Sequence, residues 1–355
     1  MLDIASKSTA ALLPTDIFFQ TAYWAQVKAR LGLKPLAFDL ITAGPWGDVL
    51  VLLRRWAGRA VAVVPQGPEY APPAEDYGVF LERFSLALAK SLGPEVAFIR
   101  YDLPWASPYA DDIRESGLRA FPEARVREMR MNMGTEHWNL RKSFEDLTVA
   151  SSLVVDIGPG EDAILDAMKP KTRYNIGLAR RKGVVVELGG PESLADFHAL
   201  YRQTASRNGF TPCSLRHFSA MFHGLLARPG HTELLFLLAR HGADILAGAI
   251  VGIAEGAANF LYGASGNIKR NLMASSLMHW EAMLHAKRRG CRSYEMGAVS
   301  PSDDPTHPFH GLYRFKTGFG GRIEYRSGSW DYPLDHEAYR DFRTAEKLAR
   351  LDVGA

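Results

Sequence analysis

Lys316 stands in the stretch Gly311-Leu312-Tyr313-Arg314-Phe315-Lys316-Thr317-Gly318-Phe319-Gly320-Gly321, and its neighbours set it apart from an ordinary surface lysine. Phe315 and Phe319, at i and i+4, can anchor one face of a helical turn. The glycines permit close approach of a ligand to the backbone. An ammonium held in place there can stabilise negative charge that develops during a reaction. A solvated lysine on a glycine-rich turn is the competing reading.

A second concentration of charge runs from Lys169 to Gly183. It carries Lys169, Lys171, Arg173, Arg180, Arg181 and Lys182 and no acidic residue. A helix is expected, with Thr172 as N-cap and Gly183 as C-cap. The basic triplet then lies in the last turn, where the helix dipole favours cations. Such a segment suits either a solvated helix face or a surface for phosphate or RNA. In the latter, Arg173 supplies a planar fork and Tyr174 a stacking ring. Tyr262-Gly263-Ala264-Ser265 closes a predicted strand, a common place for ligand contact in mixed sheets. Asp102 follows the strand Phe98–Tyr101, either capping local backbone or acting as a base.

Several chemistries find no support. The eleven histidines form no metal-protease pattern, so no metal site is expected. Cys213 and Cys291 sit in no nucleophile signature and read as packing residues; two cysteines suit a reducing compartment. Neither a Walker loop nor a dinucleotide fingerprint is present. The net charge of +3 over 355 residues is too small to imply nucleic-acid binding, so a basic surface has to be local. The 47% hydrophobic and 23% charged content is that of a globular chain. No apolar run reaches the roughly 18 residues of a membrane span. Ile245–Ala254 is interrupted by Gly248 and Gly252, and Met1–Pro14, with Asp3, makes a poor signal peptide. A soluble cytoplasmic protein is expected.

Periodicity supplies the elements that must position these residues. A helix is predicted over Phe18–Leu31, with Trp24, Val27 and Leu31 on one face. Strands follow at Leu36–Thr42, Asp48–Arg54 and Ala60–Pro65. A Pro/Gly-rich loop, a helix over Asp76–Ser91 and a strand at Val96–Tyr101 complete the first half. The second half repeats the order. Helices are predicted at Glu192–Arg207 and Leu215–Arg228, and strands at Glu233–Arg240, Asp244–Ala254 and Ala257–Ala264. A helix over Met273–Arg289 and a strand at Arg292–Met296 follow. Each half thus reads as an antiparallel meander and a helical crossover to a further strand, an α/β fold with mixed sheets.

The segment Met168-Lys169-Pro170-Lys171-Thr172-Arg173-Tyr174-Asn175-Ile176, with Ala179 and Lys182-Gly183-Val184, resembles the FemABX family. The likeness recurs in Tyr262-Gly263-Ala264-Ser265, Tyr294-Glu295-Met296-Gly297 and Phe315-Lys316-Thr317-Gly318-Phe319-Gly320. It extends to Gln20-Thr21 with Trp24 and Lys28, and to Gly67-Pro68. These enzymes add amino acids from aminoacyl-tRNA to peptidoglycan precursors. The resemblance implies two tandem GNAT-like domains without a coiled-coil arm: residues 1–149 completed by 328–355, and residues 150–327. It further implies that Lys316 is the catalytic lysine and that Lys28, with Arg207, binds the precursor's diphosphate. Asp102 and Tyr262 would line the acceptor channel. Glu295 and Ala298 stand where the family usually has Asp and Gly.

The chemistry implied is acyl transfer from aminoacyl-tRNA to a side-chain amine of the stem peptide, on UDP-MurNAc-pentapeptide or its lipid-linked form. An ester donor is already activated, so no cofactor is expected. Catalysis then rests on positioning and charge stabilisation, with Lys316 facing the developing charge and Asp102 as candidate base. Lys169, Lys171, Arg173, Arg180, Arg181 and Lys182 would contact tRNA phosphates. A lipid-linked acceptor would bring the protein transiently to the inner membrane face. The alternative is a GNAT-type N-acyltransferase using an acyl-CoA or acyl carrier donor. Against it, the turn Arg270-Asn271-Leu272-Met273-Ala274-Ser275-Ser276 lacks the glycines that let a pyrophosphate approach backbone N–H groups.

Overall fold

A computed structural model describes residues 2–41, 45–116, 122–225 and 232–353. In chain order it begins with β1 (Asp3–Lys7), α1 (Ala22–Arg30), β2 (Lys34–Ile41), β3 (Pro45–Trp56), β4 (Arg59–Val64), α2 (Tyr77–Ser91) and β5 (Val96–Ala106). Next come α3 (Ala110–Ser116), α4 (Ala124–Asn132), β6 (Arg141–Lys142), β7 (Ser151–Asp156), α5 (Glu161–Ala167), α6 (Pro170–Arg181) and β8 (Val185–Leu188). Then follow α7 (Leu194–Asn208), α8 (Leu215–Leu225), β9 (Thr232–His241), β10 (Asp244–Ala254), β11 (Ala257–Ser265) and α9 (Ala274–Arg288). The chain closes with β12 (Ser293–Ala298), α10 (His310–Lys316), β13 (Arg322–Pro333) and α11 (His336–Val353).

The chain divides into two compact units. Met1–Leu13, Phe19–Ala150 and Tyr325–Ala355 form the first; Pro14–Phe18 and Ser151–Glu324 form the second. In the first, β1, β2, β3 and β4 lie antiparallel in succession, β5 runs parallel to β4, and β13 pairs antiparallel with β5. In the second, β8, β9, β10 and β11 are antiparallel neighbours; β12 is parallel to β11, and β7 antiparallel to β12. The expected order of meander, crossover helix and parallel strand is present in both units, as mixed α/β GNAT-like sheets. Among the described residues no coiled-coil arm interrupts them.

Local chemistry accounts for the boundaries. The Thr21 hydroxyl accepts the Trp24 N–H at 3.2 Å and starts α1, so the predicted helix begins later than Phe18; Phe18–Gln20 is a 3-10 turn instead. Glycines with positive φ, Gly242 at 61° and Gly256 at 85°, make the two hairpin turns of the second meander. Gly252 breaks an apolar run because a Cβ there would overlap the ring of Phe18. The first unit is filled by Phe38, Leu81, Phe84 and Tyr101, the second by Leu237, Trp280, Met283 and Tyr294. The predicted end of β2 at Thr42 and the 226–228 end of the helix begun at Leu215 lie outside the described residues, as do 354–355 of the terminal segment. β1, β7, β8 and β13 are strands beyond those that periodicity predicts.

Candidate functional site

Lys316 ends α10, a seven-residue helix that runs into the 3-10 turn Thr317–Phe319. It is 6% exposed, and its Nζ donates to the Ala298 carbonyl, at the end of β12, at 2.7 Å. The Phe260 ring centroid lies 6.0 Å from Nζ. Burial brings the amine down to about 8, against the opposing pull of the Glu295 carboxylate. Glu295 is itself oriented by the Ser152 hydroxyl, which donates to it at 2.6 Å.

Beside this lysine stands His279 of α9, a lone histidine with no spacing signal in the sequence. Its ring packs at 4.6 Å from Phe260, 5.5 Å from Phe319 and 5.6 Å from Phe315. Its Nδ1 lies 3.1 Å from the Tyr294 hydroxyl. Complete burial, and then the nearby Lys316 charge, push it down to about 3, so it stays neutral. Apart from the Glu295 carboxylate, Lys316 thus has aromatic and neutral neighbours, a setting in which a positive charge acts at short range with little dielectric screening.

The glycines of the Lys316 turn serve the protein backbone. A Cβ at Gly320 (φ 79°) would sit 2.8 Å from the Ala167 carbonyl oxygen. One at Gly321 (φ 84°) would overlap Val154 O, and one at Gly318 would overlap the Thr172 hydroxyl. Close approach by a ligand, the reason expected for them, is thereby replaced by close packing against β7, α5 and α6.

That packing ties the basic segment to Lys316. The N-cap of α6 is Lys169, with Pro170 as first helical residue; Thr172 is buried inside the first turn and does not cap. The Lys169 N–H donates to the Gly318 carbonyl at 2.9 Å, and its Nζ to Thr317 Oγ1 at 3.3 Å. Arg173 turns inward. Its Nη1 meets the carbonyls of Met168, Asp166 and Leu165 at 2.5, 3.2 and 3.3 Å, satisfying the end of α5. Lys169, Lys171, Arg180, Arg181 and Lys182 are exposed. Lys171 Nζ and Arg181 Cζ lie 5.2 and 5.9 Å from the centre of the exposed Tyr174 ring. Arg180 pairs with Glu281 at 2.8 Å. Gly183 (φ 81°) follows the C-cap Lys182.

Tyr262 lies on β11, and Arg207 of α7 binds the end of that strand. The Tyr262 hydroxyl lies 2.7 Å from His217 Nε2, within a cluster that includes the Tyr201 and Phe218 rings. Arg207 Nη1 donates to the Ser265 carbonyl at 2.9 Å and to Asn267 Oδ1 at 2.6 Å, and Nη2 to Ser265 Oγ at 2.8 Å. Burial and then the Arg270 charge lower the pKa of its guanidinium. The Arg270–Leu272 turn that precedes α9 is flanked by Lys269 and Met273, both left-handed (φ 47° and 55°), and Leu272 is buried.

Lys28 and Asp102 belong to the first unit. Lys28 lies on α1 with Nζ 4.4 Å from the Trp24 ring centre. Asp102 lies on β5 and is 1% exposed. It accepts from Thr148 Oγ1 at 2.7 Å, Ser329 Oγ at 3.0 Å and Thr148 N at 3.4 Å. Burial raises its pKa, in spite of these hydrogen bonds. Among the described residues no group of three or more His, Cys, Asp or Glu is placed to hold a metal, and no helix is long and apolar enough to cross a membrane. Cys291 is buried and its thiol is pushed up to about 11, while Cys213 is half-buried.

Comparison with known proteins gives consistent matches. The chain is similar to a lipid II:glycine glycyltransferase of Staphylococcus haemolyticus, 22% identical over 53% of this chain and 60% of the relative. A protein of the same name from Staphylococcus epidermidis is 20% identical over 67% of this chain and 73% of the relative. The chain thus spans about 60% of the length of the first of these relatives. Its fold is similar to the crystal structure of FemX, with a TM-score of 0.73, 17% identity, and coverage of 96% of this chain and 100% of that one. The FemAB family model matches residues 14–224 and 232–347, nearly the whole chain. The chain therefore belongs to the FemAB family.

Proposed function

We propose that this protein transfers an amino acid from aminoacyl-tRNA to the side-chain amine of a peptidoglycan stem peptide. The observation that carries the proposal is Lys316. It is a buried ammonium fixed by the Ala298 carbonyl, beside aromatic rings and a neutral His279, on a turn hydrogen-bonded to a basic helix. A stationary positive charge of this kind stabilises the tetrahedral oxyanion or the departing ribose oxygen of an ester. In the step, the substrate amine nitrogen bonds to the ester carbonyl carbon, the carbon–oxygen bond to the ribose breaks, and the amine proton passes to the leaving oxygen.

The exposed cations Lys169, Lys171, Arg180, Arg181 and Lys182 suit tRNA phosphates; Arg173 is a positioning residue that holds the start of their helix. Tyr262 and Arg207 serve acceptor binding at the end of β11, and Lys28 on α1 is assigned to the precursor's diphosphate. Asp102 is buried, with both carboxylate oxygens occupied, so its part is to hold Thr148 and Ser329. The substrate amine then loses its proton to a group of the substrates. The names of the relatives favour the lipid-linked acceptor at the inner membrane face over UDP-MurNAc-pentapeptide, and no cofactor takes part.

The test is a mass-spectrometric transfer assay. Protein, charged tRNA and both precursor forms are combined with and without ribonuclease. A ribonuclease-sensitive gain of one amino-acid residue is expected. No gain on either acceptor, with acyl group transfer from acyl-CoA instead, would replace this reading by the acyl-CoA one.

A further inference from the structure

The helix α4 is poorly covered for its composition. Val126, Met129 and Met133 are 50, 55 and 65% exposed. Their spacing of three and four residues places them along one face of the helix and its C-cap. Trp138, 51% exposed, follows in the connection to β6. Single exposed apolar residues are ordinary, but four large ones within thirteen positions form a patch that water covers at a cost.

The charge on the same helix is one-sided. Within the helix Arg125, Arg127 and Arg130 outnumber the one acid, Glu128, which accepts the Lys142 N–H at 2.9 Å; Glu123 stands at its N-cap, Glu136 follows its end and Asp146 faces Arg127. Arg127 and Arg130 also line a shallow cleft walled by Tyr77, Ser107, Tyr109 and Ser327. The Arg130 guanidinium lies 5.0 Å from the Tyr109 ring centre, which holds it at the cleft mouth. Arg141 donates to the Trp138 backbone carbonyl at 2.7 Å and adds another cation to this connection.

We propose that α4 and its arginine-lined cleft dock the protein on an anionic bilayer. Val126, Met129 and Met133 enter the boundary between headgroups and acyl chains, Trp138 sits at headgroup level, and the cleft receives a lipid phosphate. Apolar residues on one helix face, flanked by arginines, are what binding in the plane of an anionic interface requires. Charge selects this occupant over a second copy of the chain, because a symmetric contact through the patch would set arginines against arginines. The inference deepens the reading above by adding a lipid surface to it, yet the dock is measurable without any transfer reaction.

The experiment is co-sedimentation of the full chain with phosphatidylcholine vesicles, with and without phosphatidylglycerol. The wild type is expected to sediment with the phosphatidylglycerol vesicles and to be released by salt. M129E/M133E should lower partitioning by about tenfold or more. R130Q should lower it about fivefold on phosphatidylglycerol vesicles alone. Both variants should keep wild-type transfer to a detergent-solubilised lipid-linked acceptor, where no bilayer is present to dock on. A wild type that stays in the supernatant, or variants that partition like it, would overturn the dock. So would a cleft that binds inorganic phosphate while vesicles are ignored, or a change in vesicle-free mass in M129E/M133E that marks the patch as a self-contact. Vesicle binding without transfer would overturn the proposed function and leave the dock standing; transfer without vesicle binding would do the reverse.

Discussion

Arg100 and Asp331 face each other across the β5–β13 pair through two parallel hydrogen bonds, Nε to Oδ1 at 2.7 Å and Nη2 to Oδ2 at 2.8 Å. Both side chains are buried, Asp331 completely. Glu346 of α11 takes the remaining edge of the guanidinium at 2.7 Å, and the Tyr339 hydroxyl donates to Asp331 at 3.0 Å. Removing one partner of a buried ion pair leaves an uncompensated charge, at roughly 3–5 kcal/mol. Arg100→Met should therefore unfold the first unit at markedly lower urea. Arg100→Met with Asp331→Leu should recover most of that loss. An R100M protein as stable as wild type in a urea melt would show that the pair holds nothing together.

Lys316→Ala should lower turnover by about 10²–10³ while far-UV circular dichroism stays unchanged. The ammonium is the working form, so wild-type turnover should fall as pH rises through about 8. The same group sets a stability trend. Its folded pKa is depressed from 10.5 to about 8, so between those values the unfolded chain holds a proton that the folded chain lacks. Stability from this site therefore rises with pH over that window. Lys316→Met should abolish the rise and add on the order of 2 kcal/mol at pH 7. Urea melts at pH 7 and pH 10 check both signs.

His279 works at the acid end. It is held neutral to about pH 3, whereas in the unfolded chain it charges near 6.5. Its contribution to stability is complete above about 6.5 and is lost as pH falls toward 3, on the order of 4 kcal/mol in all. His279→Gln keeps a polar partner for Tyr294 and removes the titration. Acid unfolding of H279Q should begin at lower pH than in the wild type, and an unshifted acid midpoint would show that the imidazole is not the sensor.

The Gly318–Thr172 contact predicts a suppressor. Gly318→Ala should cost about 1–3 kcal/mol, because its methyl group meets the Thr172 hydroxyl. Thr172→Ala should restore much of that stability in the double variant and return the turn beside Lys316 to its place. Additive losses in a double-mutant cycle would count against the contact.

On the basic helix, R181A/K182A should weaken tRNA binding and reduce its salt dependence by about two phosphate contacts. Arg173→Ala should instead lower thermal stability, because its guanidinium satisfies the end of α5. Filter binding across a salt series separates the two effects.

The meanders and crossover helices were legible in the sequence because they alternate or repeat over long stretches bounded by glycine. β1 and β8 were missed because none of their residues is fully buried, which leaves no apolar alternation to read; β13 was missed although most of it is buried. It carries Arg326, Ser327 and Gly328 in its middle, a composition that reads as a turn. The basic segment was legible as charge, but the sequence could not show that Arg173 points inward, since that depends on α5 ending where its carbonyls converge. His279 and His217 left no signal, because their roles come from neighbours far away in the chain.

The return of β13 to β5 also has a bearing on biosynthesis. On the ribosome, residues 1–150 emerge with Arg100 lacking its carboxylate partner and with one edge of β5 bare. The second unit is complete by Glu324, before the first receives its last strand. A bare strand edge is a template for pairing with other chains. During translation the half made first is therefore the half that must be shielded longest, and nascent-chain chaperones should engage it until the closing strand leaves the exit tunnel.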